Sequence, residues 1–291
     1  MFGNMKQNIF ITGVSSGIGL AATKTLITNG FMVYGTVRSE SDKLRLESEM
    51  GENFKALICD ITDDAALDSS IETLKKYLNG EQIYCLVNNA GIAVPGPLNM
   101  VSDQGFFHQI NVNLIATRKV TNHIIPIMDQ SGQKQSPRII FISSISGIFA
   151  APFNGPYCIS KHALECMIDI YRRELKYMNI KVVGIQPGPI KTEIWRKTVG
   201  SFDKFKGGIF DSIIEKADKI IQKTEKTALN VNTVSDCILN IVQKQNPKIR
   251  YMIHKNKTLF KLMSYYMPSK WLDSLIWKNL STKNPDKYRP V

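Results

Sequence analysis

Long apolar runs are missing from this chain. No stretch approaches the roughly 18 consecutive apolar residues that a membrane-crossing helix needs, so no simple transmembrane span is expected. The apolar run near the start, Ile9 to Val14, is short and is broken by Thr12 and Gly13, which argues against a secretory leader. A cytoplasmic protein is therefore expected. Cysteine is sparse: the five residues Cys59, Cys85, Cys158, Cys166 and Cys237 are odd in number and form no C-x-x-C pair. Neither a disulfide framework nor a thiolate metal site is expected. The four histidines, His108, His123, His162 and His254, show no ligand spacing either, so no metal is expected. Acidic residues are outnumbered, 25 Asp and Glu against 37 Lys and Arg, for a net charge of +12. The excess is concentrated at the end, where residues 250–291 hold nine basic and two acidic side chains. A globally basic nucleic-acid binder would look different, and no nucleic-acid partner is expected. What remains is ordinary globular composition, 43% hydrophobic and 21% charged over 291 residues.

β-rich runs alternate with helical stretches. Strands are expected at 8–12, 31–37, 54–59, 83–88, 138–143, 181–186 and 250–254, several of them near-continuous apolar runs that fit burial on both faces. Helices are expected near 17–29, 63–79, 103–129, 155–178 and 232–245. This alternation implies an α/β fold: a doubly wound (Rossmann), mainly parallel, seven-stranded sheet with helices on both faces. Such sheets bind ligands at the carboxyl ends of their strands. The expected organisation is a dinucleotide-binding and catalytic domain over 1–254, with a substrate lid at 189–230, and a basic amphipathic extension over 255–291.

The first chemical signal follows the first strand: Thr12, Gly13, Val14, Ser15, Ser16, Gly17, Ile18 and Gly19. Glycines here let the backbone turn sharply and approach a pyrophosphate, while the next helix offers its N-terminal N–H groups to that anion. The second strand ends in Val37 and Arg38, with no acid at the position where NAD-selective folds hold the ribose 2′-hydroxyl. An arginine there suits a 2′-phosphate, so NADP(H) is favoured over NAD(H), although Glu40 and Asp42 lie close by. Asp60 can accept from an adenine amino group, with Ile61 covering the ring. Asn89, Ala90 and Gly91 end the fourth strand, where Asn89 can brace the loops beside the cofactor.

Tyr157 and Lys161 are four residues apart and share a helix face. An ammonium near a phenol favours phenolate, so Tyr157 is expected to titrate below the usual value of about 10 and to exchange protons near neutral pH. Ser144, just past the fifth strand, can hydrogen-bond a substrate carbonyl oxygen. Asn113 can support a water that leads protons toward Lys161.

Together these residues resemble the short-chain dehydrogenase/reductase family. The resemblance rests on Thr12-Gly13 with Gly17-Ile18-Gly19, on Asn88-Asn89-Ala90-Gly91, on Asn113, Ser144 and Tyr157-x-x-x-Lys161, and on Pro187-Gly188 with Thr192. It covers about 12 to 192 and implies a reversible alcohol–carbonyl interconversion by hydride transfer. Tyr157 would act as acid or base and Ser144 would polarise the substrate oxygen. Lys161 would hold the nicotinamide ribose and tune Tyr157, while Asn113 would maintain a proton relay. Pro187, Gly188, Ile190 and Thr192 would lie along the nicotinamide side. A homodimer or homotetramer is implied as well.

The stretch Ala150 to Cys158 is similar to the hydroxysteroid and retinol dehydrogenase branch. The presumed substrate-facing pieces, Val94 to Leu98, Ile145 to Phe153, and Pro189 with Ile190, are uncharged. The lid adds Phe202, Phe205, Phe210 and Trp195. An apolar substrate is expected: a steroid, a retinoid or a lipid-like carbonyl or alcohol. Two alternatives remain open, a 3-oxoacyl thioester reductase and a non-catalytic dinucleotide-sensing protein. For the tail, apolar residues among lysines with a break at Pro268 predict two short amphipathic helices. They could dock on an anionic membrane, cap the cleft or join a dimer, or complete the core.

Overall fold

The computed structural model describes residues 7–128, 135–192, 202–205, 210–211, 213–214, 216 and 226–280. The lid residues Trp195, Ile194 and Ile209 and the end of the tail, 281–291, lie outside the described residues. In chain order the elements are β1 (Asn8–Ile11), α1 (Gly17–Thr28), β2 (Met32–Val37), α2 (Glu40–Met50), β3 (Phe54–Ile58), α3 (Asp64–Leu78) and β4 (Ile83–Asn88). There follow α4 (Asp103–Ile110), a π turn (Asn111–Ala116), α5 (Thr117–Ile124), β5 (Arg138–Ile142), α6 (Gly155–Glu174), β6 (Lys181–Pro187), α7 (Asn232–Gln243) and β7 (Arg250–Ile253). The tail adds α8 (Lys257–Tyr266) and α9 (Ser269–Leu280).

All seven strands form one sheet in the order β3-β2-β1-β4-β5-β6-β7. Every pairing is parallel, so the sheet has no antiparallel edge. Helices cover both faces. On one, Ala22 and Leu26 of α1 pack with Val234, Ile238 and Ile241 of α7 against the strands. On the other, Leu67 and Leu74 of α3, Val120 of α5 and Leu164 and Ile168 of α6 do the same. The order in which the chain lays down strands reverses between β1 and β4, which opens a crevice at their carboxyl ends.

Two helical expectations change. Helix α2 was not foreseen, because only Leu46 of its residues is buried and the rest is polar nearly all round. Its signal is the cap instead: the Ser39 side chain accepts from the Asp42 N–H, and Glu40 and Asp42 fill the first turn. The single helix expected over 103–129 is divided into α4, the π turn and α5, and a short 3-10 turn at Ile125–Ile127 carries Pro126.

One buried cation fastens β5 to α7. Arg138 is fully buried, and its Nη1 donates to the carbonyl oxygens of Ile241 and Lys244 at the end of α7. Its Nη2 donates to Ser136 O at 3.0 Å, and the guanidinium lies 4.8 Å from the Tyr84 ring centroid. The last carbonyls of a helix lack intrahelical partners, and a cation there also meets the negative end of the dipole. Arg138→Met leaves these carbonyls unpaired. We expect urea denaturation to show a loss of about 2–4 kcal/mol. A change within about 0.5 kcal/mol would mean that the carbonyls find other partners.

Candidate active site

The crevice is pinned by side chains from both of its walls. Thr12 Oγ1, just past β1, accepts from Asn89 N and Ala90 N, each at 3.0 Å. Asn89 Nδ2 donates to Thr12 O and Gly13 O, each at 2.9 Å. Gly13 N donates to Thr36 Oγ1 of β2 at 2.9 Å. Gly13 and Gly17 hold φ of 70° and 57°, the left-handed region where a side chain is strained. At Gly19 a Cβ would lie 2.1 Å from Gly13 O and 2.6 Å from Asn89 Nδ2. Only glycine lets α1 enter this close to the loop.

The start of α1 is open. Ser16 sits at its N-cap but makes no side-chain cap bond, and no acid occupies the first turn. Helices α2, α3 and α4 are instead capped by the side chains of Ser39, Asp63 and Ser102. Unpaired N–H groups and the positive end of the helix dipole therefore face the crevice, which suits a phosphate. The Gly13–Gly19 cradle and this open terminus fit a dinucleotide pyrophosphate. From across the crevice, Thr192 Cγ2 lies 3.5 Å from where a Cβ on Gly17 would be. Gly188 N, after Pro187, donates to Ile253 O at 2.8 Å.

Beyond β2, Arg38 is exposed. Arg45 of α2 donates from Nη2 to Ser15 O at 3.3 Å and to Asp42 Oδ1 at 2.6 Å. The Arg45 hydrogen bond holds the Asp42 carboxyl below its ordinary range, and the Arg38 charge adds to that. Asp60 is likewise held low, chiefly by the Thr62 side chain, whose hydroxyl and N–H donate to Oδ1 at 2.7 and 2.9 Å, with Arg38 again contributing. The Arg38 charge is thus felt by both carboxylates. Ile61 packs in the α3-side core, with 6% of its surface exposed.

Past β5, Ser144 is buried, and its Oγ accepts from Ser146 N at 3.0 Å. It neighbours the Tyr157 hydroxyl and favours the ionised phenol. Lys161 Nζ lies 5.7 Å from the Tyr157 ring centroid and donates to Ile142 O at 2.9 Å. The structure therefore brings Ser144, Tyr157 and Lys161 together, but the expected pKa order is corrected. Burial of its hydroxyl end pushes Tyr157 up to about 12, against a smaller downward pull from Ser144. Burial also pushes Lys161 down to about 8, partly offset by Glu165. The ammonium bonds a carbonyl and not the phenol, so desolvation outweighs charge assistance.

Asn113 sits in the π turn, a local widening that often marks functional sites. Its Oδ1 accepts from Ile92 N at 2.9 Å, while Nδ2 donates to Ile92 O at 3.0 Å and Ser160 Oγ at 3.1 Å. Gln109 assists, accepting from Val94 N and donating to Ile92 O. Asn113 therefore clips the loop after Gly91 to α6 and meets Lys161 only through the neighbouring Ser160. Sequence reasoning missed Ser160 and Gln109. It also missed Glu165, which continues the Tyr157, Lys161 spacing by four. Glu165 Oε2 accepts from Arg250 Nε at 2.7 Å, tying α6 to β7.

The opposite wall is apolar. Phe202, Phe205 and Ile214 form a buried cluster with Val101, Phe153 and Phe210. Gly96 N donates to Phe153 O at 2.8 Å, and a Cβ on Gly96 would come 2.5 Å from Phe205 Cζ. Phe153 holds φ of 62°, a strained value for a bulky residue four positions before Tyr157. Ile190 is 3% exposed and packs in the α1-side core.

The Lys161 value carries a stability consequence. Its folded pKa of about 8 lies below its ordinary 10.5, so folding disfavours the ammonium. The penalty is full below about pH 8 and fades as pH rises toward the unfolded value. Lys161→Met should raise the Tm at neutral pH, with the gain shrinking above pH 8. Melting curves across that range check this, and a gain that grew with pH would contradict it.

Among known proteins, the family profile described as short chain dehydrogenase matches residues 7–201. The chain is 35% identical over 271 residues to an NADPH-dependent 3-dehydrocapnine reductase of Ornithobacterium rhinotracheale, covering 93% of this chain and 96% of that one. It is 28% identical over 288 residues to retinol dehydrogenase 16 of Mus musculus, covering 94% and 88%. A short-chain dehydrogenase structure from Streptomyces avermitilis superposes with a TM-score of 0.76 at 19% identity, covering 95% of each chain. The chain belongs to the short-chain dehydrogenase/reductase family and is an oxidoreductase of that family, for which a nicotinamide dinucleotide is the implied cofactor.

Proposed function

We propose that the protein interconverts a carbonyl and a secondary or primary alcohol on an apolar substrate, with NADP(H) in preference to NAD(H). The carrying observation is the convergence of buried Ser144 and buried Lys161 on Tyr157, with Lys161 Nζ 5.7 Å from the Tyr157 ring centroid. The bound dinucleotide would supply or accept the hydride. Gly13, Ser15, Ser16, Gly17, Ile18 and Gly19 would hold its pyrophosphate. Asp60, Asn89, Ala90, Gly91, Pro187, Gly188 and Thr192 would line its path. In the reductive direction Ser144 holds the substrate oxygen and the protonated Tyr157 gives it a proton. A phenol kept neutral by burial is ready to donate. The Lys161 ammonium steadies the phenolate left behind, and Asn113 fixes the loop and α6 so that this geometry is set before substrate arrives.

Support for NADP(H) comes from Arg38 beyond β2, from Arg45 beside Ser15, and from the NADPH-dependent relative. Support for an apolar substrate comes from the phenylalanine cluster and from relatives whose names include a retinol dehydrogenase.

Titrating NADPH and NADH against the purified protein by nicotinamide fluorescence tests the cofactor choice. We expect NADPH to bind at least about tenfold more tightly, and Arg38→Glu to remove most of that difference. Equal binding, or a preference for NADH, rejects it. With NADPH and a panel of apolar ketones, Tyr157→Phe should lower turnover by roughly 10²–10⁴-fold while cofactor binding persists. Turnover close to wild type would remove Tyr157 from the chemistry.

A further inference from the structure

Helices α8 and α9 contain no buried residue. Leu259, Leu262, Tyr265, Tyr266, Trp271 and Trp277 each leave more than half of their surface in solvent. Leu259, Leu262 and Tyr266 recur at spacings of three and four along α8, so they share a face; Trp271 and Leu275 do the same along α9. Exposed lysines stand among them: Lys255, Lys257, Lys261, Lys270 and Lys278, against a single acid, Asp273. Both helices are far too short to cross a bilayer, and no helix among the described residues is long and apolar enough to do so.

We propose that α8 and α9 form a docking surface for an anionic lipid membrane, lying in its interface. Tryptophan and tyrosine favour the headgroup level, leucines enter the acyl boundary, and lysines meet the negative surface. Charge decides against a second copy of this chain. A symmetric contact sets the same patch against itself, and here one lysine-rich face would meet another, with Asp273 the one acid of α8 and α9 to offset them. The surface also has a fixed position on the body. Phe260 of α8 packs edge-on against Phe149 at 5.6 Å and lies 5.1 Å from the His254 ring. Phe149 belongs to the segment between Ser144 and Tyr157, so docking would hold the catalytic side of the molecule beside the lipid. The proposal rests on the tail surface and does not require the apolar-substrate reading.

The test uses the full chain with vesicles of phosphatidylcholine alone and of phosphatidylcholine with phosphatidylglycerol. The expected result is co-sedimentation with the anionic vesicles, roughly tenfold above the neutral ones and lost in high salt. Leu262→Asp combined with Trp271→Asp should abolish it. Because neither residue is buried, NADPH binding and melting temperature should stay at wild-type values, which separates this failure from a failure of the catalytic reading. Absence of sedimentation with anionic vesicles overturns the proposal. So does equal sedimentation with both vesicle types, or sedimentation untouched by the double substitution. A dimer in analytical ultracentrifugation that the double substitution dissolves, without vesicle binding, would assign the face to a second copy instead.

Discussion

The gap between β1 and β4, and the two side chains that bridge it, set the rest of the site. Thr12 and Asn89 exchange four hydrogen bonds with each other's backbone and with Gly13 and Ala90. These bonds satisfy backbone groups that strand pairing gives up where the sheet parts. They also hold the glycine loop rigid enough for α1 to begin against it, at a distance that only Gly19 tolerates. Loosen that bridge and the open N-terminus of α1 no longer points into a defined space. The phosphate site is thus a product of the sheet's topology as much as of its glycines.

A second balance governs the reacting groups. Charge proximity alone would make Tyr157 acidic. Burial acts on both partners in the opposite sense, raising the phenol and lowering the ammonium. The outcome is a neutral phenol beside Ser144 and a lysine whose charge is costly to keep. Such a site holds strain that folding elsewhere must offset, and the sheet, its two apolar faces and the Arg138 clasp do so. The Arg250–Glu165 pair extends the same helix face one further turn, fixing the register of α6 against β7.

The tail follows a different logic from the body. The sheet and its helices enclose two buried apolar cores, although single apolar side chains such as Leu44 and Phe107 stay exposed. In α8 and α9 large apolar side chains stay in solvent, interleaved with lysines.

Periodicity and motif spacing were enough to read the seven strands, the parallel α/β order, the glycine loop, the Ser144, Tyr157 and Lys161 set and the two tail helices. These features repeat locally, through alternation, helical spacing or fixed offsets, so one dimension suffices. Helix α2 carries no sequence period because its surface is polar nearly all round, and the burial of Ile61 and Ile190 is equally hidden because an apolar residue at a strand end fits a core and a pocket equally well. The π turn under Asn113, its bonds to Ile92 and Ser160, and the arginine clasp on α7 join residues far apart in sequence. So does the pKa order of Tyr157 and Lys161, which depends on how much water the fold removes. Residue types determined which chemistry was available; only tertiary packing decided the burial, and burial set which group keeps its proton.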